Sequence, residues 1–99
     1  MKTLYKNLSY KTLTQIVEHN GYKFRIWANH GNGSWLAWLS VMTKDGHYEN
    51  IESNNTLNFK FENLYFLDST VVSGDTKKKM TNALEAVVPH FLEYIEKVY

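Results

Sequence analysis

The sequence predicts an α+β fold, with a short N-terminal helix, an antiparallel meander of about four strands and a long C-terminal helix on one sheet face. Three observations carry this. Residues 22–29 alternate Tyr22, Phe24 and Ile26 against Lys23, Arg25 and Trp27, the period of a half-buried strand. Residues 75–98 carry an apolar stripe at helical spacing, Met80, Leu84, Val87, Phe91, Ile95 and Val98. Glycines 21, 31, 33, 46 and 74 fall between these segments as punctuation.

The first element is the least clear. Over residues 10–19, Tyr10, Leu13, Ile16, Val17 and Asn20 share one helical face, with Ser9 as N-cap and Asn20-Gly21 as a stop. That favours a helix. The competing reading is a strand, since Thr and β-branched residues form helices poorly and Asn-Gly is a strong two-residue hairpin turn. Residues 30–34 form a flexible connection, and residues 35–43 a strand apolar on both faces. Lys44-Asp45-Gly46-His47 reads as a hairpin turn into a short polar strand over 47–52. Residues 53–56 read as a loop. Residues 57–62 alternate with Leu57, Phe59 and Phe61 inward, and the phase breaks at Asn63, before Leu64 and Phe66, as at a bulge or turn. Pro89, the sole proline, predicts a kink near 85–89 or two consecutive helices. The expected core sets Phe24, Ile26, Leu57, Phe59 and Phe61 against Leu84, Val87, Phe91 and Ile95.

Composition bounds the function. Ninety-nine residues make a single globular domain, and 43% hydrophobic with 15% aromatic residues is enough for a core. A net charge of +1 argues against a protein that coats polyanions. The absence of cysteine excludes disulfides and thiolate chemistry. No apolar run approaches ~18 residues and Met1–Tyr10 lacks a signal-peptide core, which gives the expectation of a cytoplasmic chain with no membrane partner. Lysine greatly outnumbers the single Arg25, a bias common in small bacterial and phage proteins.

Reaction chemistry finds little footing, and no cofactor is implied. His19, His30, His47 and His90 show no metal-ligand spacing. Gly31-Asn32-Gly33 lies between two strands, whereas a phosphate cradle needs a helix N-terminus behind it. Ser34 and Ser40 have no nucleophile-elbow context, and Glu49, Glu52 and Glu62 read as a solvated face.

The informative feature is surplus apolar surface. A helix covering one sheet face uses one parity of each strand, yet the other parity holds Trp27, Leu36, Trp38, Met42 and Tyr48. Such a patch marks a contact site unless Leu4, Tyr5 and Leu8 of the N-terminal segment fold over it, or the helices divide between the faces. Lys77, Lys78 and Lys79 fall in the first turn of the long helix, where the macrodipole disfavours cations. If that helix starts nearer Met80, they lie in a solvated loop instead. Residues 1–25 carry five basic and one acidic side chain, and residues 45–68 five acids and one lysine. This polarity suits a complementary partner or a second copy.

The sequence therefore favours a non-enzymatic protein-binding module: an inhibitor, adaptor or immunity-type factor. Its partner-binding residues are Trp27, Trp38, Tyr48, Arg25, Lys23, Lys77, Lys78 and Lys79. The alternative is a single-stranded nucleic-acid binder, with Trp27, Trp38 and Tyr48 stacking on bases and Lys23, Arg25 and Lys60 meeting phosphates. Low net charge and a lone arginine count against it. A small enzyme ranks third.

Overall fold

The computed structural model describes residues 1–31, 34–57 and 74–99. Five strands, β1 (Lys2–Leu8), β2 (Thr12–His19), β3 (Tyr22–Gly31), β4 (Ser34–Met42) and β5 (Tyr48–Ser53), form an antiparallel meander in the order β1-β2-β3-β4-β5. One helical turn, α1 (Asn54–Leu57), follows, and then α2 (Gly74–Glu85) and α3 (Val88–Val98). The architecture is α+β, as the sequence predicts.

The predicted N-terminal helix is instead strand β2. Asn20 and Gly21 take φ of 51° and 83°, and His19 pairs with Tyr22 across them. Two left-handed residues make a turn whose twist matches the strands it joins. Gln15 disguised the alternation. It is only 6% exposed and lies inward between Leu13 and Val17, with its Nε2 donating to Thr3 Oγ1 at 3.2 Å. A polar residue on the buried parity makes a strand look irregular when read from sequence.

The sheet has five strands rather than about four, because β1 adds an edge. Its residues are exposed up to Leu8, and a bulge falls between Thr3 and Tyr5. Lysines at positions 2 and 6 suit an edge that must not pair with other chains. The β4–β5 turn forms where expected. Thr43 N–H donates to His47 O at 2.7 Å, and Gly46 supplies the φ of 86°. Residues 54–57 are helical rather than loop. The strand predicted over 57–62 begins at Leu57, which closes α1. Its remainder, with Phe59 and Phe61, and the break at Asn63 lie outside the described residues.

The C-terminal helix is two helices, α2 ending at Glu85 and α3 starting at Val88. Pro89 occupies the first turn of α3, where a missing N–H costs nothing. The stripe continues across the break. Met80, Leu84, Val87, Val88, Phe91 and Ile95 are all buried, whereas Val98 is 57% exposed and ends the predicted stripe early. Tyr99 replaces it, packing edge-on against Phe24 at 4.9 Å between ring centroids and against Tyr22 at 5.2 Å. Asn20 Nδ2 donates to the Tyr99 main-chain oxygen at 2.9 Å.

The core lies between these helices and one sheet face, here termed inner. Leu13, Val17, Phe24, Ile26, Ala28, Ala37 and Leu39 meet Leu84, Val87, Val88, Phe91 and Ile95. Each large side chain buried in full contributes about 1.5–3 kcal/mol. Two polar contacts edge this layer. Lys6 Nζ meets Glu85 Oε1 at 2.8 Å. Tyr94 faces Glu52, and burial first, then the interaction with Glu52, hold Tyr94 above the ordinary tyrosine pKa.

Candidate interaction face

Every strand residue in the buried cluster comes from the inner face. The alternating positions form an outer face with its own order. Its central row runs Asn7, Thr14, Trp27, Trp38 and Ser53 across the five strands. Trp27 and Trp38 are direct cross-strand partners, stacked at 4.7 Å between centroids and 18° between planes. Cross-strand aromatic contacts of this kind contribute about 0.5–1.5 kcal/mol beyond area burial.

The next row holds Tyr5, Ile16, Arg25, Ser40 and Asn50. Ser40, 1% exposed, donates its hydroxyl to Asn50 Oδ1 at 2.6 Å. That hydroxyl is committed to structure, which leaves no free nucleophile there. The Arg25 guanidinium lies over the Tyr48 ring, 4.8 Å from its centroid. Its Nε is buried with no hydrogen-bond partner. One row further, Lys2 opposes Glu18 and Glu18 opposes Lys23. On this row Glu18 stands between two lysines.

Five of the eight residues singled out from sequence therefore share the outer face: Lys23, Arg25, Trp27, Trp38 and Tyr48. Lys77, Lys78 and Lys79 do not join them. They lie on α2, whose buried side chains face the inner layer. The helix begins at Gly74, so the three lysines are helical rather than a loop before Met80. The Lys77 ammonium sits 5.2 Å from the centre of the Tyr10 ring, with Lys11 5.5 Å from that same ring. The sequence already places these lysines on the long helix and the tryptophans on the parity that helix leaves uncovered, and α2 keeps the two groups apart.

The covering segment proposed for the outer face is also placed differently. Leu4 and Tyr5 belong to edge strand β1, are 42% and 49% exposed, and lengthen the sheet instead of folding across it. Tyr5 and Ile16 are outer-face residues that the sequence reading missed. Helical periodicity had put Ile16 on a helix, and the polar strand β1 carried no alternation to detect.

Other candidate chemistry is dispersed. Among the described residues, no group of three or more His, Cys, Asp or Glu side chains is placed to hold a metal ion. His47 lies 3.5 Å from Glu49 beside the β4–β5 turn. His30 is on the inner parity against Trp35, with ring centroids 4.9 Å apart. Burial, then the nearby Lys11 charge, depress its pKa. Gly31 and Ser34 pair across the β3–β4 connection, so a strand and not a helix follows the glycines. No helix is long and apolar enough to cross a membrane, among the described residues. No protein-family model, curated protein or solved structure matches the chain.

Proposed function

We propose that this chain is a non-enzymatic protein-binding module, of the inhibitor, adaptor or immunity type, that acts in the cytoplasm through the outer face of its sheet. The observation that carries the reading is the stacked Trp27–Trp38 pair at the centre of a face that, among the described residues, supplies nothing to the buried cluster. Tyr5 and Leu36, 49% and 42% exposed, extend the apolar surface outward from it. Aromatic and arginine side chains at the middle of a patch, with polar residues around them, are the usual composition of a binding centre.

Single-stranded nucleic acid is the competing ligand, because Lys2, Lys23 and Arg25 share the face with two tryptophans. Stacking geometry counts against it. Base recognition needs open aromatic faces. Trp27 and Trp38 cover one face of each other, and Arg25 covers Tyr48.

The test compares the wild-type chain with Trp38→Ala, both shown to be folded by circular dichroism. Sedimentation reports self-association, and capture from host extract followed by reconstitution with the purified partner reports hetero-association. We expect Trp38→Ala to weaken that association roughly 30-fold or more, equivalent to about 2 kcal/mol at a central anchor. Submicromolar oligonucleotide binding at about 150 mM salt, with a steep salt slope, would reverse the ranking.

A further inference from the structure

We propose that Arg25 captures a carboxylate of the bound protein, whose neighbouring apolar side chain seats on the Trp27–Trp38 pair. This rests on the outer face being the binding surface. A guanidinium offers five donors in a fixed fork and has no acceptor capacity. In this chain it sits over the Tyr48 ring, 4.8 Å from the centroid, and Nε is shielded from solvent with nothing to bond. Among the described residues, no carboxylate pairs with it. The one acid on the described outer face, Glu18, opposes Lys2 and Lys23 in the register and not Arg25. Among the described residues, the Arg25 charge is therefore uncompensated.

An arginine already ordered by stacking loses less side-chain freedom when it binds, so more of each hydrogen bond is realised as affinity. Lys23 and Trp27 are the residues two before and two after Arg25 on β3, each about 7 Å along the strand. The face thus presents a cation, a guanidinium fork and an aromatic platform in a line. The complementary segment carries an Asp or Glu about 7 Å from an aromatic or aliphatic side chain. That is the spacing of alternate residues on a strand, or of near neighbours along one side of a helix. A carboxylate fits the terminal nitrogens in a two-point contact that lysine cannot reproduce. The closed aromatic stacks favour a protein carboxylate over a nucleic-acid phosphate as the anion.

The experiment selects random linear peptides, displayed on phage, against the full chain, and re-measures synthetic versions of the winners by calorimetry. We expect the selected peptides to hold an acid beside an apolar residue. Changing that acid to its amide should weaken binding roughly tenfold, and Arg25→Lys should do the same. On Arg25→Lys, the acid-to-amide change should then matter little, which is the coupling that distinguishes a contact from a fold defect. Unfolding curves of Arg25→Lys close to wild type complete the control. Peptides that depend on Trp38 but show no acid preference, or no coupling with Arg25, overturn this assignment and leave the protein-binding reading standing. Selection of no peptide, or only of peptides indifferent to Trp38→Ala, overturns both. Displacement of a selected peptide by an oligothymidylate at about 150 mM salt overturns the carboxylate in favour of phosphate.

Discussion

The two faces of this sheet are made by the same strands, and both carry large apolar side chains, yet they differ in what those side chains contact. On β3, Phe24, Ile26 and Ala28 are fully buried under α2 and α3, while Arg25 and Trp27 alternate with them and remain half-buried. On β4, Ala37 and Leu39 are sealed, while Leu36 is 42% exposed and Trp38 rests on Trp27. The inner face packs across layers, strand against helix. Among the described residues, the outer face packs within the layer, ring against ring and guanidinium against ring. Packing across layers excludes water and contributes most of the stability. Packing within the layer orders side chains at the surface, which lowers the cost of ordering them on binding.

The largest test of that contrast is at Phe91, which is fully buried where α3 meets the inner face. Phe91→Ala should cost about 3–5 kcal/mol in denaturant unfolding, a large share of a small domain's stability. A loss below about 1 kcal/mol would mean that the helices do not seal the inner face, and the distinction between the faces would collapse.

Trp38→Ala is the matching change on the outer face. It removes a larger side chain, but one already partly in water. About 1–2 kcal/mol is the expected loss of stability, clearly smaller than at Phe91. If Trp38→Ala equals Phe91→Ala in unfolding, the outer face is core in disguise. The stack itself can be isolated by a double-mutant cycle with Trp27→Ala and Trp38→Ala. We expect a coupling of about 0.5–1.5 kcal/mol, and a value near zero would mean that the two rings only share a location.

How far these faces could be read from sequence depends on how much each strand owes to its own alternation. β3 was legible because Phe24 and Ile26 alternate with Lys23 and Arg25, and β4 because residues 35–43 are a short, nearly continuous apolar run between turn signals. The split of the C-terminal helix was legible because Pro89 cannot donate the bond an uninterrupted helix would need. β2 was misread because Gln15 occupies an inward position that Leu or Val would have made obvious. The partner of its Nε2, Thr3, belongs to a strand twelve positions away. β1 left almost no trace. An edge strand exposed along nearly its whole length has no need of an apolar parity. The site followed the same logic. Trp27, Trp38, Tyr48 and Arg25 fell on one face through their own strands. The lysines of α2 stand apart from that face, on the helix where the sequence sets them, because α2 covers the inner parity.

The smallest expected effect lies at the margin of the inner face, at His30. Its ring packs against Trp35, and its pKa is lowered from 6.5, first by burial and then by the positive charge of Lys11. A depressed folded-state pKa means that the unfolded chain takes up the proton more readily. The stabilisation is therefore fully present above about pH 6.5 and is lost as pH falls through the folded-state value. Unfolding midpoints measured from about pH 7 down to about pH 5 should fall on this limb. His30→Gln, which keeps a polar neutral side chain and removes the titration, should flatten it. Lys11→Met should flatten it partly, by removing the charge and leaving the burial. The outer-face substitution Trp38→Ala should leave the slope of that limb unchanged, since Trp38 points away from His30 through the sheet. A limb that changes slope with Trp38→Ala and not with His30→Gln would mean that the two faces do not respond to protonation separately. The contrast between a sealed inner layer and an independent outer one would then fail at its edge.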